Sequence, residues 1–213
     1  MPHSETFIDG VWFPSVTTIT GREEKPWLVA WREKWGLLAE RKTKIASAVG
    51  TEFHRCVDAY LSTGTYSAAN AVLDESPLIG TATRVAGMMK SFVDWAQTVE
   101  GEIHETELKV ISREHTYSGT LDAVGTFNGK PMLYDWKTSS RIYDDMDLQL
   151  VAYARAYKEQ TGVELKQGMI VQVSKDKPHF KLTTRVFKLG KRPWNKFLKL
   201  REKFGPFNKT ETE

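Results

Sequence analysis

Residues 118–139 read SGTLDAVGTFNGKPMLYDWKTS. Two apolar-rich runs flank Asn128-Gly129, a dipeptide that strongly favours a two-residue type I′ hairpin turn. That turn sets a register in which Phe127 faces Lys130 and, counting outward, Asp122 faces Asp135. The aspartates then share a non-hydrogen-bonded pair, where Cα atoms approach to about 4.5 Å. Pro131 falls on the same kind of pair, so its missing N–H costs this ladder nothing. Like charges directly opposed destabilise a sheet. Two carboxylates this close either share a proton or hold a cation. Lys137 lies two residues beyond Asp135 and so on the same face. Oxygen-only ligands favour Mg²⁺ or Mn²⁺ over zinc, as one ion or two. A structural salt bridge from Lys137 to one aspartate is the ordinary alternative, and it leaves the second acid unexplained. A three-residue loop would instead set Asp122 against Trp136.

Around this hairpin the periodicity places helices and strands. Residues 7–19 read as short strands with turns at Asp9-Gly10 and Pro14. Residues 26–40, 43–62 and 78–100 carry helical stripes, the first opened by proline. Strand signals begin near Ile103. A helix over 144–160 starts in an aspartate-rich turn, as the helix dipole favours, and closes at Gly162. Strands follow at 167–175 and 179–189 around a Lys-Asp-Lys-Pro turn, then a basic helix from Arg192 to Phe204. The expected fold is α/β, a central mixed sheet flanked by helices with an α-rich N-terminal part. The 213 residues suit one domain, with a helical part over 20–100, a core over 101–190 and a basic helix over 191–208.

Cys56 is the only cysteine, which excludes a Cys-rich zinc site and an iron–sulfur cluster and fits a reducing, cytoplasmic setting. No run approaches a membrane span, and the start lacks the basic and apolar regions of an export signal. Residues 188–209 hold eight basic residues against one acid, interleaved with Trp194, Phe197, Phe204 and Phe207. Basic, aromatic stretches are the footprint of nucleic-acid binding, and equally of an amphipathic helix with a solvated lysine face. Trp27, Trp31 and Trp35 form one helical stripe. It can pack on the core, or offer a platform for unpaired bases. In the second reading Arg32, Lys34, Arg41, Lys42 and Lys44 follow the backbone, as Arg141, Lys191, Arg192 and Lys196 do elsewhere.

GTLD, twelve residues and DWK together resemble the PD-(D/E)xK nuclease superfamily. GTEFH at 50–54 looks like the helix-borne histidine motif of the branch that contains RecB-type nuclease domains and the mitochondrial genome maintenance exonuclease. QLVAYARAY at 149–157 looks like that branch's glutamine–tyrosine helix. FPSVTTI followed by a tryptophan-rich helix is similar to its phage-type members. The resemblance spans residues 12–175 and implies a restriction-endonuclease-like core.

It also implies roles. Asp122 and Asp135 would coordinate metal, with His54 as a further ligand or in touch with the water there. Lys137 would orient the attacking water and help neutralise the scissile phosphate. Gln149 and Tyr153, four apart on one helical face, would position that lysine or the nucleic-acid backbone. The superfamily's helix-borne acid is ambiguous here among Glu52, Asp58 and Glu107, and Glu107 ranks first. Without the GTEFH context, a lone histidine on such a helix reads as an ordinary core or surface group. The implied activity is Mg²⁺- or Mn²⁺-dependent DNA hydrolysis by a stand-alone exonuclease of phage- or virus-like origin, serving recombination, repair or replication. Its substrate would be single-stranded DNA or DNA ends. Alternatives are an endonuclease on the same fold and a non-catalytic nucleic-acid binder.

Overall fold

The computed structural model describes residues 6–23, 25–66, 80–175 and 180–205. The elements are β1 (Thr6–Ile8), β2 (Val11–Phe13), α1 (Val16–Thr20), α2 (Pro26–Trp35), α3 (Leu38–Thr63) and α4 (Thr81–Thr98). Then come β3 (Gly101–Ser112), β4 (Tyr117–Phe127), β5 (Lys130–Lys137), α5 (Met146–Thr161), β6 (Gln167–Val173), β7 (Leu182–Lys188) and α6 (Lys191–Arg201).

β3 to β7 form one sheet in chain order. Every pairing is antiparallel except β5 with β6, which α5 connects as a parallel crossover. The sheet is mixed and helix-covered on both faces, the expected restriction-endonuclease-like architecture. On one face Leu133, Ile170 and Phe187 pack with α1, α5 and α6. On the other, Tyr134, Trp136, Met169 and Val171 meet Val49, Phe53 and Val57 of α3 and Val85, Met88, Met89 and Phe92 of α4. No helix among the described residues is long and apolar enough to cross a membrane.

The hairpin follows its turn chemistry. Asn128 and Gly129 both have positive φ, and the pairs run from Phe127–Lys130 to Ala123–Tyr134. Elsewhere the structure corrects the sequence reading. Residues 16–20 form a helix rather than a strand, because the Ser15 hydroxyl accepts from the Thr18 N–H. The helix expected over 26–40 stops at Trp35, because Gly36 turns to φ +48°, and α3 starts at Leu38 instead of 43. α5 starts at Met146, with Asp145 as its N-cap residue, and Asp144 and Asp145 pair with Arg185 and Lys25. α6 ends at Arg201, before Phe204. The start of the third helix at 78, most of the Lys-Asp-Lys-Pro turn, His179 and the tail with Phe207 lie outside the described residues.

β3 carries a bulge between Ile103 and Glu105. It presses the β3 main chain onto Gly125, where an added Cβ would overlap the Glu102 carbonyl oxygen. Gly125→Ala is therefore expected to cost about 1–3 kcal/mol or more, read as a lowered urea midpoint. An unchanged midpoint would contradict this packing.

Candidate active site

The site lies at the C-terminal end of β5, where β4 and β5 part. Their ladder stops at Ala123–Tyr134, one pair short of the aspartates. Beyond it the Trp136 N–H donates to Asp122 Oδ2 at 2.7 Å, so a side-chain carboxylate takes the place of a main-chain acceptor there. The Trp136 carbonyl accepts from His54 Nε2 at 3.0 Å. Both main-chain polar groups of the residue between Asp135 and Lys137 are thus held by other site residues. Its ring is buried among Phe92, Trp95 and Tyr134. Sequence reading gave Trp136 no role, since its part is played by backbone atoms.

Each aspartate has its own cationic neighbour. Asp135 is 1% exposed and paired with Lys137, its Oδ2 2.6 Å from Nζ. Burial pushes the Asp135 carboxyl up to about 6, against the pull of Lys137 and with help from Asp122. Burial also opposes charge on Lys137, but the two aspartates raise it overall. Asp122 Oδ1 lies 3.5 Å from His54 Nδ1. Burial opposes the Asp122 charge too, and His54, Lys137 and the Trp136 N–H together hold its carboxyl below the ordinary value.

His54, Glu107 and Asp122 each place one ligand atom within 4.8 Å of the others. α3 delivers His54. Gly50, one turn earlier, lets the helix approach, since a Cβ there would stand 3.3 Å from the Thr138 hydroxyl. β3 delivers Glu107, placed across from Asp122 between the pairs Thr106–Ala123 and Leu108–Leu121. Glu107 has φ +50°, a left-handed conformation that costs a non-glycine residue about 1–3 kcal/mol and concentrates at functional sites. Burial and Asp122 raise its carboxyl. Of the other candidate acids, Glu52 pairs with Arg55, and Asp58 accepts from Thr106.

This trio fits a divalent cation, although its imidazole donor departs from the oxygen-only set expected from the sequence. Because His54 Nε2 donates to a carbonyl, the neutral ring turns its Nδ1 lone pair toward the carboxylates. A metal-ligating histidine commonly donates its other N–H in this way. Without a cation the same geometry favours the imidazolium, so His54 is raised by Asp122 despite the larger opposing effect of burial. Asp135, expected among the ligands, stands outside the trio and is held by Lys137.

Gln149 Nε2 donates to the Tyr153 hydroxyl at 2.9 Å, so the glutamine–tyrosine pair shares a face of α5 as its spacing requires. Gly119 makes room for that tyrosine, since a Cβ there would lie 2.6 Å from Cε1 of the ring. The polar atoms of the pair bond to each other, with no bond from either to Lys137 among the described contacts.

The nucleic-acid candidates fall in four places: α2, α3, the segment after β5 and α6. α2 buries no residue, so the tryptophan stripe is not core. Trp31 and Trp35 are half-buried, Arg32 is exposed, and Lys42 lies over the Trp35 ring at 3.8 Å. Trp27 stacks on Tyr143, and Arg141 lies over that same ring, which ties α2 to the segment after β5. Lys44 pairs with Glu40. On α6, Phe197 and Leu200 face the core, Lys191 and Arg192 are exposed at the start, and Lys196 pairs with Glu23.

A mixed sheet with Asp122, Asp135 and Lys137 at the parting of one hairpin defines a class. The model of the PD-(D/E)XK nuclease superfamily matches residues 30–204, and the chain belongs to that superfamily. Mitochondrial genome maintenance exonuclease 1 of Mus musculus is 28% identical over 189 residues, covering 78% of this chain and 52% of that protein. The chain thus spans about half the length of this curated relative. Among solved structures, a candidate exonuclease from Eubacterium rectale aligns over 75% of this chain and 64% of its own, with 14% identity and a TM-score of 0.47.

Proposed function

We propose that the chain is a metal-dependent deoxyribonuclease, an exonuclease acting on single-stranded DNA or DNA ends. One observation carries the reading: a buried Asp135–Lys137 pair ends β5 beside three metal-type donors, within the residues that match a nuclease superfamily. A pure binder gains nothing from so costly a set of carboxylates. The resemblance to a mitochondrial genome maintenance exonuclease favours exonuclease over endonuclease.

His54, Glu107 and Asp122 would hold Mg²⁺ or Mn²⁺, with Asp135 completing the set once substrate draws Lys137 away. A divalent cation there acidifies water and offsets charge gathering on phosphorus. Lys137 carries a compact positive charge to the reacting phosphate and orients the attacking water. The Asp122 and His54 contacts to Trp136 fix the main chain that carries both Asp135 and Lys137. Gln149 and Tyr153 line the α5 side of the site. Residues 1–213 act as one nuclease domain with α2 and α6 as nucleic-acid contacts, in a cytoplasmic, phage-type setting of DNA recombination or repair.

The test is a time course on 5′- and 3′-labelled single- and double-stranded DNA with Mg²⁺, Mn²⁺ or EDTA. Cleavage that needs metal and ends supports the proposal. A cut circular single strand makes the enzyme an endonuclease, and chelator-insensitive binding without cleavage removes the catalytic reading. Trp31→Ala should weaken binding of single-stranded DNA by about 1–3 kcal/mol for the base it stacks, measured by anisotropy. Unchanged affinity would return the stripe to a structural role.

A further inference from the structure

A row of residues crosses the sheet beside the catalytic lysine. Lys137 of β5 pairs with Gln172 of β6, which pairs with Thr183 of edge strand β7. Two residues back, Asp135 pairs with Ile170 and Ile170 with Arg185. Paired residues on neighbouring strands point to one face, so Lys137, Gln172, Thr183 and Arg185 share the face that carries Asp135.

Next to this row is an open cavity of about 530 Å³, lined by Ser140, Arg141, Gln172, Lys181, Thr183 and Arg185 among others. Its floor is built, since Gln172 is buried and its amide donates to the Ser139 carbonyl at 2.5 Å, fixing the segment after Lys137 onto β6. The lining combines three cations with hydroxyl donors, the set that grips phosphate and sugar without reading bases. Among the described residues no carboxylate lines it. Asp144, outside the lining, accepts from Arg185 Nη1 through Oδ1 at 2.7 Å. That pair is exposed, so water screens it and it holds Arg185 only weakly.

We propose that this groove seats the sugar–phosphate backbone of the DNA strand on the β7 side of the scissile bond. Asp144 acts as a surrogate anion there, occupying Arg185 until a phosphate displaces it. This rests on the nuclease reading above and adds a path for the strand: from Lys137 over Gln172 to Thr183 and Arg185. The phosphate then competes with Asp144 for one guanidinium, so removing the acid helps binding and removing the arginine harms it.

The experiment measures anisotropy of fluorescein-labelled oligothymidylates of increasing length in EDTA, across a salt series. Arg185→Ala should weaken binding about 5- to 10-fold on the longer oligonucleotides and lower the salt slope by about one. Asp144→Asn should tighten binding about 2- to 3-fold. Asp94→Asn, which frees Lys90 from a similar exposed pair on α4, should change nothing. If wild type binds and neither Arg185→Ala nor Asp144→Asn differs from it, the groove is overturned while the nuclease reading stands. If Asp94→Asn tightens binding as much as Asp144→Asn, the gain is net charge and the competition at Arg185 is refuted. A wild-type chain that binds no oligonucleotide in EDTA overturns the groove, and one that also fails to cleave DNA with Mg²⁺ or Mn²⁺ overturns both readings.

Discussion

Lys137→Ala is expected to reduce DNA cleavage by about 10²–10³-fold or more, the scale on which a single charge-stabilising group acts. The same change should unsettle the fold. Asp135 is 1% exposed and Lys137 is its ion-pair partner, so the truncation leaves a buried carboxylate without its cation. Breaking a buried pair from one side costs about 3–5 kcal/mol. Loss of activity in the single variant could therefore be loss of structure, and the pair Asp135→Asn with Lys137→Met separates the two. Removing both charges should recover most of the stability while cleavage stays absent. Urea unfolding and a cleavage assay on the same preparations check this. Metal-dependent turnover in Lys137→Ala would remove the lysine from the chemistry, and with it the assignment of the site.

The second large effect is an opposition between pH and metal. Asp135 is pushed up to about 6 by burial, and His54 and Glu107 are also raised. A carboxyl whose folded pKa is raised binds its proton more tightly when folded. The metal-free protein should therefore lose stability as pH rises from the ordinary carboxylate range through about 6. A raised histidine contributes stability that is complete below its ordinary value near 6.5 and fades as pH climbs through its folded value. Asp122 is lowered, and its contribution is lost only at more acid pH. In EDTA, then, thermal stability should fall from pH 5 to pH 8. Ligation requires these same groups without protons. Added Mn²⁺ should raise the melting temperature strongly at pH 8 and hardly at pH 5, and cleavage should fall away below about pH 6. Equal stabilisation by Mn²⁺ at both pH values would show that these groups do not bind it. The seven tryptophans make intrinsic fluorescence a direct readout.

One physical fact links the two results. Both aspartates are held in a place that disfavours charge, and the protein compensates each with a cation of its own. Lys137 serves Asp135 and protonated His54 serves Asp122. A bound metal would replace the proton on His54 and leave Lys137 for phosphate. The left-handed backbone at Glu107 adds to the cost of this arrangement.

Short-range chemistry made much of this site readable in the amino-acid order alone. Asn128-Gly129 set the turn, the turn set the register, and the register brought Asp122 and Asp135 to the same end of the hairpin with Lys137 beyond. Helical spacing put Gln149 beside Tyr153 and gave α3 and α4 their buried stripes. Tertiary packing decided the rest. The parting of β4 from β5, and the use of the Asp122 carboxylate as an acceptor for Trp136, depend on α3 inserting His54 from 82 residues away. The meeting of Glu107 with His54 and Asp122 requires the bulged pairing of β3. The place of Arg185 beside the row of Lys137 and Gln172 follows from β6 joining β5 in parallel. The tryptophan helix stays outside the core because Gly36 turns the chain before α3. Turns and periodicities are properties of neighbouring residues, whereas these contacts exist only once distant segments have packed.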